Sequence, residues 1–434
     1  MRVIGAAAHK TCRVSATVRP AEVSLTGFGI RARLRTLDRP LTSYYLVLIS
    51  GLLLVGLGLV MVMSASSIQS YRTNGSVFAI AQKQAMWVAV GLPLMWVTSR
   101  MPPSAFRRLA FPALFIALGL LALVLVPGVG REVNGNRNWI YLGGPMELQP
   151  SEAGKLALVL FGAHVLARKQ KLLNRPGHLC VPFVPAAGLV VLMVLLGHDL
   201  GTTIVLLSIV FALLFFVGTP MRYFGMLLAP LSLLVLALVT ADPDRMRRMS
   251  SFLHPFSTYQ GTGWQGAQSI FALASGGWTG VGLGASREKW GYLPEAHTDF
   301  IYSIIGEELG LIGALGVLLL FATLVFAGFR IAARSRDMFT TLAAAAITTW
   351  IAVQAAVNIG AVLGLLPIAG LPLPLVSYGG SALLPVMVAL GMLLSFARRE
   401  PGAAAALRAR GPNPMRAAVG RVFRRPDVRR RLRK

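Results

Sequence analysis

The chain has 434 residues, of which 55% are hydrophobic and 13% charged, and carries a net charge of +26. A water-soluble protein of this length cannot hide so large an apolar fraction, whereas lipid can solvate it. The basic excess sits in two tails and short loops between apolar runs of roughly 17–25 residues, the length that crosses a hydrocarbon core. No basic face interleaved with aromatics is present, which argues against a nucleic-acid partner.

In chain order the apolar runs predict transmembrane helices over 44–64, 78–98, 110–126, 151–167, 181–197, 200–217, 223–240, 300–327, 340–363 and 382–397. Helix is the default because lipid leaves backbone polar groups no outside partner, and nothing alternates as barrel strands do. The expected fold class is therefore an all-α polytopic membrane protein of about ten transmembrane helices, with a large extracytoplasmic loop, 241–299, between helices 7 and 8. Basic tails, 1–43 and 398–434, flank the helical core, 44–397. With the N-terminus inside, 32 of the 42 Lys and Arg residues fall on inner segments. Both termini are thus expected in the cytoplasm, against anionic lipid. The early apolar run Val3–Ala8 is too short for a signal-peptide core. Cys12 and Cys180 both fall on the inner side, and no Cys/His cluster has metal-ligand spacing.

Information concentrates in the outer segments. VPGVGREVNGNRNWIYLGGPMELQPS (Val126–Ser151), the long segment 241–300 and GLLPIAGLPLPLVSYGGS (Gly364–Ser381) are too rich in Gly, Pro and charge for simple spans. Irregular backbone at membrane depth survives only where protein or a wet cavity surrounds it, so an outer cavity is expected. Lys155, one turn into the fourth helix, and Asp299, opening the eighth, share a side and a depth. Opposite charges so placed form either a structural salt bridge or a functional pair. Glu307 and Glu308, roughly 12–14 Å further along the eighth helix at about 1.5 Å per residue, read as structural. Asp199 fits helix-end bonding or function equally. Pro150–Ser151 start the fourth helix and Thr298 is the expected N-cap of the eighth, so both positive helix ends face the cavity. Arg137, Arg245, Arg247, Arg248, Arg287 and Lys289 add six cations to a face that should be poor in them. An anionic substrate accounts for that excess.

The string YLPEAHTDFIYSIIGEELG (Tyr292–Gly310) closely resembles the signature of the SEDS family, the FtsW/RodA/SpoVE glycosyltransferases of bacterial cell-wall synthesis. NGNRNWI (134–140), LQPSEAGK (148–155), RMRRMSSFLHP (245–255), GWQGAQS (263–269), GVGLGASREK (280–289) and LPLPLVSYGGS (371–381) resemble the same family in order, across 44–397. Glu295–Ala296 before HTDF, and the long tails, lean toward the FtsW branch. Two departures stand out: Arg137–Asn138 where two basic residues often precede the Trp, and Gly197–His198–Asp199 where Gln/Glu-Pro-Asp is usual.

The resemblance implies polymerisation of lipid II into glycan strands on the outer face of the cytoplasmic membrane, in cell division. Asp299 and Lys155 take the catalytic positions. Arg137, Trp139, Glu152, Arg245, Arg248, Lys289, His297 and Ser377 are the expected substrate-binding residues. In that reading Asp299 is a general base and the reaction inverts the anomeric centre. No dedicated metal site is expected, although a divalent cation, Mg2+ or Mn2+, could accompany the lipid diphosphate. Expected partners are lipid II, the growing glycan, a class B penicillin-binding protein and other divisome membrane proteins. The competing readings are a lipid II flippase, an elongation or sporulation paralogue, and a non-catalytic scaffold for the transpeptidase.

Overall fold

The computed structural model describes residues 39–133, 136–141, 143, 147–169, 181–226, 240, 252, 255–257, 259, 261, 263–403 and 405–406. In chain order the helices are α1 (Thr42–Asn74), α2 (Ala79–Thr98), α3 (Pro103–Leu125), α4 (Pro150–Lys169), α5 (Phe183–Leu196), α6 (Leu200–Phe216), α7 (Trp264–Ser275), α8 (Ile301–Arg334), α9 (Met338–Val362) and α10 (Gly380–Ala397). All but α7 fall on predicted spans. The predicted span 223–240 lies largely outside the described residues, with 221–226 helical.

Five of these helices, α1, α3, α8, α9 and α10, are long and apolar enough to cross a membrane. α9 and α10 have 72% of their apolar windows buried within the bundle, whereas α3 and α8 have only 28%. The outer helices therefore present large side chains such as Phe115, Ile116, Ile312 and Leu319 outward. So wide an apolar surface requires lipid rather than water against it. The chain is a multi-pass membrane protein.

Three features differ from expectation. The fold is not purely helical: strands β1 (Gly130–Val133), β2 (Asn136–Tyr141) and β3 (Glu147–Leu148) form an antiparallel sheet in the order β1-β2-β3. Val133 pairs with Asn136 across the Asn-Gly dipeptide at 134–135, the pair that favours a two-residue hairpin turn. α1 runs ten residues beyond its apolar stretch, because Ser66 and Ser70 of its polar end are buried against protein and Gly75 (φ 67°) closes it by donating to Tyr71 O.

The third difference is a break. α8 was expected to be continuous over 300–327, yet Gly310 stands at φ 67°, ψ −166° and divides it. The freed backbone groups are taken up by the glycine-rich segment after α7. Val281 N donates to Glu307 O (3.0 Å) and Gly282 N to Glu308 O (3.1 Å), while Leu311 N and Ile312 N donate to Gly277 O (2.9 Å) and Trp278 O (3.2 Å). A helix can break at this depth only because each of those groups finds a partner. Every residue from Ile301 to Glu308 is buried, so the first part of α8 is enclosed by protein.

Helix ends alternate between two ends of the bundle. One carries the starts of α4, α6, α8 and α10 with the end of α9; the other carries the starts of α3 and α9 with the ends of α4 and α10. Polar contacts mark both: Asn358 with Asp299 at the first, Arg107 with Asp337 and Arg398 with Ser99 at the second.

Candidate active site

At the first end a tight turn, Glu295–Phe300, leads into α8. Glu295 adopts a left-handed backbone (φ 56°), and its carbonyl accepts from Thr298 N and Phe300 N, both at 3.2 Å. Thr298 was expected to cap the helix. Its hydroxyl instead donates to the Glu295 carboxylate (2.7 Å), and α8 begins without a side-chain cap. The next three carbonyls are each held from outside the turn. His297 O accepts from Tyr378 N (2.9 Å), Thr298 O from Ser377 Oγ (2.5 Å) and Asp299 O from Asn358 Nδ2 (2.7 Å). The main chain is fixed on both flanks, while the Asp299 carboxylate has no hydrogen bond or ion pair among the described residues.

That carboxylate lines a cavity of about 10 Å³, the space of roughly one water, with Asn358, Gly370 and Leu371. Burial, followed by the charges of Glu295 and Asp199, lifts its pKa from 3.8 to about 7. Three of the four non-glycine residues with positive φ among the described residues, His198, Glu295 and Leu375, sit at this end. Each costs about 1–3 kcal/mol of backbone strain, which must be held by surrounding contacts.

Lys155 does not pair with Asp299 as anticipated. Its fully buried ammonium meets Glu152 at 2.7 Å and Gln354 Oε1 at 3.0 Å, 5.5 Å from the Trp350 ring centroid. Gln354 also accepts from Trp350 Nε1 (2.8 Å) and donates to Pro372 O (2.9 Å). One turn along α9, Asn358 Nδ2 donates to Leu371 O (2.7 Å) as well as to Asp299 O. Two amides of α9 thus hold the irregular segment before α10, the Lys155 cluster and the Asp299 turn in a single polar network. Neither amide is among the site residues expected from the sequence. Their i, i+4 spacing, which puts them on one face, was the available signal.

The small sheet joins the same end. Along β2, Asn138 and Ile140 are buried while Arg137 and Trp139 are half-buried, as strand alternation requires. Asn138 Nδ2 donates to Asp199 Oδ2 (2.9 Å), and Asp199 caps α6 by accepting from Thr202 N (2.8 Å). Asp199 is thus a helix cap whose charge also acts on Asp299. Gly201, in the first turn of α6, has room only for hydrogen: a Cβ there would lie 2.2 Å from Ala369 O.

The other expected residues divide clearly. Glu152 is consumed by Lys155 through one oxygen, and its Oε2 is buried without a partner among the described residues. Ser377 fixes the turn. His297 is buried against the Tyr378 ring (5.5 Å), with Nδ1 unpartnered among the described residues, and burial lowers its pKa. Lys289 is buried too, bonded to the Gly284 carbonyl and 3.5 Å from Glu308. Glu308 also accepts from Ser64 Oγ (2.6 Å), while Glu307 takes Ser286 Oγ (2.6 Å) and Arg287 N (2.8 Å). These two glutamates anchor the segment 284–290. Arg245, Arg247 and Arg248 lie outside the described residues. Arg287 is exposed, without an ion pair among the described residues.

A carboxylate without a partner among the described residues, on a clamped turn above a buried ion-pair network, marks one end of a multi-pass membrane helix bundle. The pattern of the FtsW/RodA/SpoVE cell cycle proteins matches residues 44–401, and the chain belongs to that family. It is 44% identical over 393 residues, 90% of this chain and 75% of the relative, to "Probable peptidoglycan glycosyltransferase FtsW" of Mycobacterium tuberculosis. A chain of a solved peptidoglycan synthase complex, described as coordinating polymerization and crosslinking, superposes with TM-score 0.68 at 30% identity, covering 81% of this chain and 96% of that one. The rod shape determining protein RodA of Thermus thermophilus superposes with TM-score 0.58 at 29% identity, over 84% and 99% of the two chains.

Proposed function

We propose that this protein is a peptidoglycan glycosyltransferase that polymerises lipid II at the outer face of the cytoplasmic membrane, with Asp299 as general base. The observation that carries this reading is a carboxylate without a partner among the described residues, on a backbone held by three outside hydrogen bonds; burial there pushes its pKa up to about 7. A base works best when its pKa lies near the operating pH. Asp299 takes the proton of the acceptor's C4 hydroxyl as that oxygen attacks the anomeric carbon of the growing chain. The C–O bond to the lipid diphosphate breaks with inversion, and the diphosphate leaves as an anion that needs no acid.

A lysine beside Asp299 would hold it ionised and weaken it as a base. Engagement of Lys155 by Glu152 and Gln354 removes that conflict. Lys155 then acts by positioning, and the departing diphosphate falls to Arg137, Arg245, Arg248 and Arg287, with Trp139 beside Arg137 on β2. Among the described residues no three of His, Cys, Asp and Glu gather to hold a metal. A Mg2+ or Mn2+ ion would arrive with the diphosphate and offset its charge.

The orientation that puts the Asp299 end outside, with both termini inside, follows the distribution of Lys and Arg. Division is the role favoured by the FtsW-named relative, and a class B penicillin-binding protein is the partner that would crosslink the product. A flippase would need a polar path through the bundle. The one broken helix found among the described residues has its free groups closed off by 277–282, which favours the enzyme. Incubating the purified protein with labelled lipid II, with and without that partner, tests the proposal. Glycan polymer is the expected product, and transport without polymer in both arms would overturn it.

A further inference from the structure

At the opposite end of the bundle from Asp299 a cavity of about 440 Å³ opens where α3 and α9 begin and α4 ends. Arg107, Arg108 and Phe111 of α3, His164 and Arg168 of α4, and Phe339 of α9 line it. Asp337, the N-cap of α9, neutralises Arg107 at 2.5 Å. Arg108 and Arg168 are exposed, with no ion pair among the described residues, so the cavity keeps a net charge of +2. His164 is 8% exposed, edge-on to Phe111 at 5.7 Å, and has no hydrogen-bond partner among the described residues.

The arrangement is layered. The arginines lie in the terminal turns, and Phe111, 43% exposed, follows Arg107 and Arg108 by about one turn toward the apolar middle of α3. Guanidinium groups bind phosphate oxygens through paired N–H donors, and the aromatic surface below suits an acyl chain. Basic pockets between helices at a membrane face are where anionic headgroups lodge.

We propose that this cavity is a binding site for one anionic phospholipid headgroup, with its phosphate between Arg108 and Arg168 and its acyl chains along Phe111. It stands apart from the Asp299 end and does not depend on the reading given to that end.

The test is a native mass-spectrometric titration of the full chain with phosphatidylglycerol, with phosphatidylcholine and with inorganic phosphate. The unmodified protein should retain phosphatidylglycerol at least about tenfold more tightly than phosphatidylcholine. Arg108→Gln with Arg168→Gln should lose most of that preference, a fall on the order of tenfold. The charge-matched pair Arg424→Gln with Arg425→Gln in the C-terminal tail should keep it. Equal loss in both pairs, or no loss in the cavity pair, would overturn the site. Occupancy by inorganic phosphate at the same concentrations as the lipid would replace the lipid assignment with a soluble anion. Unchanged thermal unfolding of the cavity pair, whose arginines are both exposed, shows that the lost binding is local.

Discussion

Asn358 donates from its amide to the main-chain carbonyl of Asp299 at 2.7 Å and to that of Leu371 at the same distance. One side chain of α9 therefore sets the position of the proposed base relative to the wall of its cavity. Replacing it by Leu keeps the volume but strips the buried carbonyl of Leu371, at about 1–3 kcal/mol, and the part-buried carbonyl of Asp299 of their donor. Asn358→Leu should melt at a lower temperature and turn lipid II over at least about tenfold more slowly, with KM little changed. A proportional rise in KM with unchanged kcat would instead place Asn358 in substrate binding.

The carboxylate environment predicts a pH dependence. With a pKa near 7, Asp299 is mostly protonated below neutrality, so turnover should fall as pH drops through that value. Burial is the main cause and the negative charge of Glu295 the next. Glu295→Gln removes that charge while keeping an acceptor for Thr298, so the inflection should move to lower pH. The measurement is the pH profile of kcat/KM for both proteins. An unmoved inflection would mean that a different group titrates.

The Glu152–Lys155 pair is buried on both sides, at 1% and 0% side-chain exposure. Removing one partner leaves a charge with no water to receive it, at about 3–5 kcal/mol. Lys155→Met should therefore unfold far more readily than Lys155→Met with Glu152→Gln, a ranking that thermal unfolding in detergent reads directly.

Gly310 has no room for a side chain. A Cβ would lie 2.3 Å from Gly280 N, and its backbone occupies a region essentially reserved for glycine. Gly310→Ala should cost about 2 kcal/mol or more and lower the yield of folded protein. The neighbouring Gly316, with open space at its Cβ, should accept alanine without loss.

Much of this architecture was legible in the sequence, because lipid makes a span readable from apolar length alone. The starts of α4 at Pro150 and of α6 behind Asp199 could be read from residues that begin helices. What escaped depended on contacts distant in sequence. The break at Gly310 is invisible in IIGEELGLIG, since the residues on both sides are apolar or helix-forming, and the segment that satisfies it lies some thirty residues earlier. The choice of Lys155 for Glu152 over Asp299 turned on the i, i+3 spacing within α4 and on Gln354, a residue of another helix. The sheet carried a clear mark, Asn134–Gly135 between β1 and β2, which an expectation of helices passed over.

The role of Asp299 as base is tested most directly by turnover of labelled lipid II by purified Asp299→Asn. Ionised Asp299 opposes folding above a pH near 7, because its native pKa lies above its ordinary value. The neutral isostere should therefore melt at the same or a higher temperature at pH 8. Asp299→Asn should be a folded protein that forms no glycan polymer; polymerisation at an undiminished rate would contradict a base at this position.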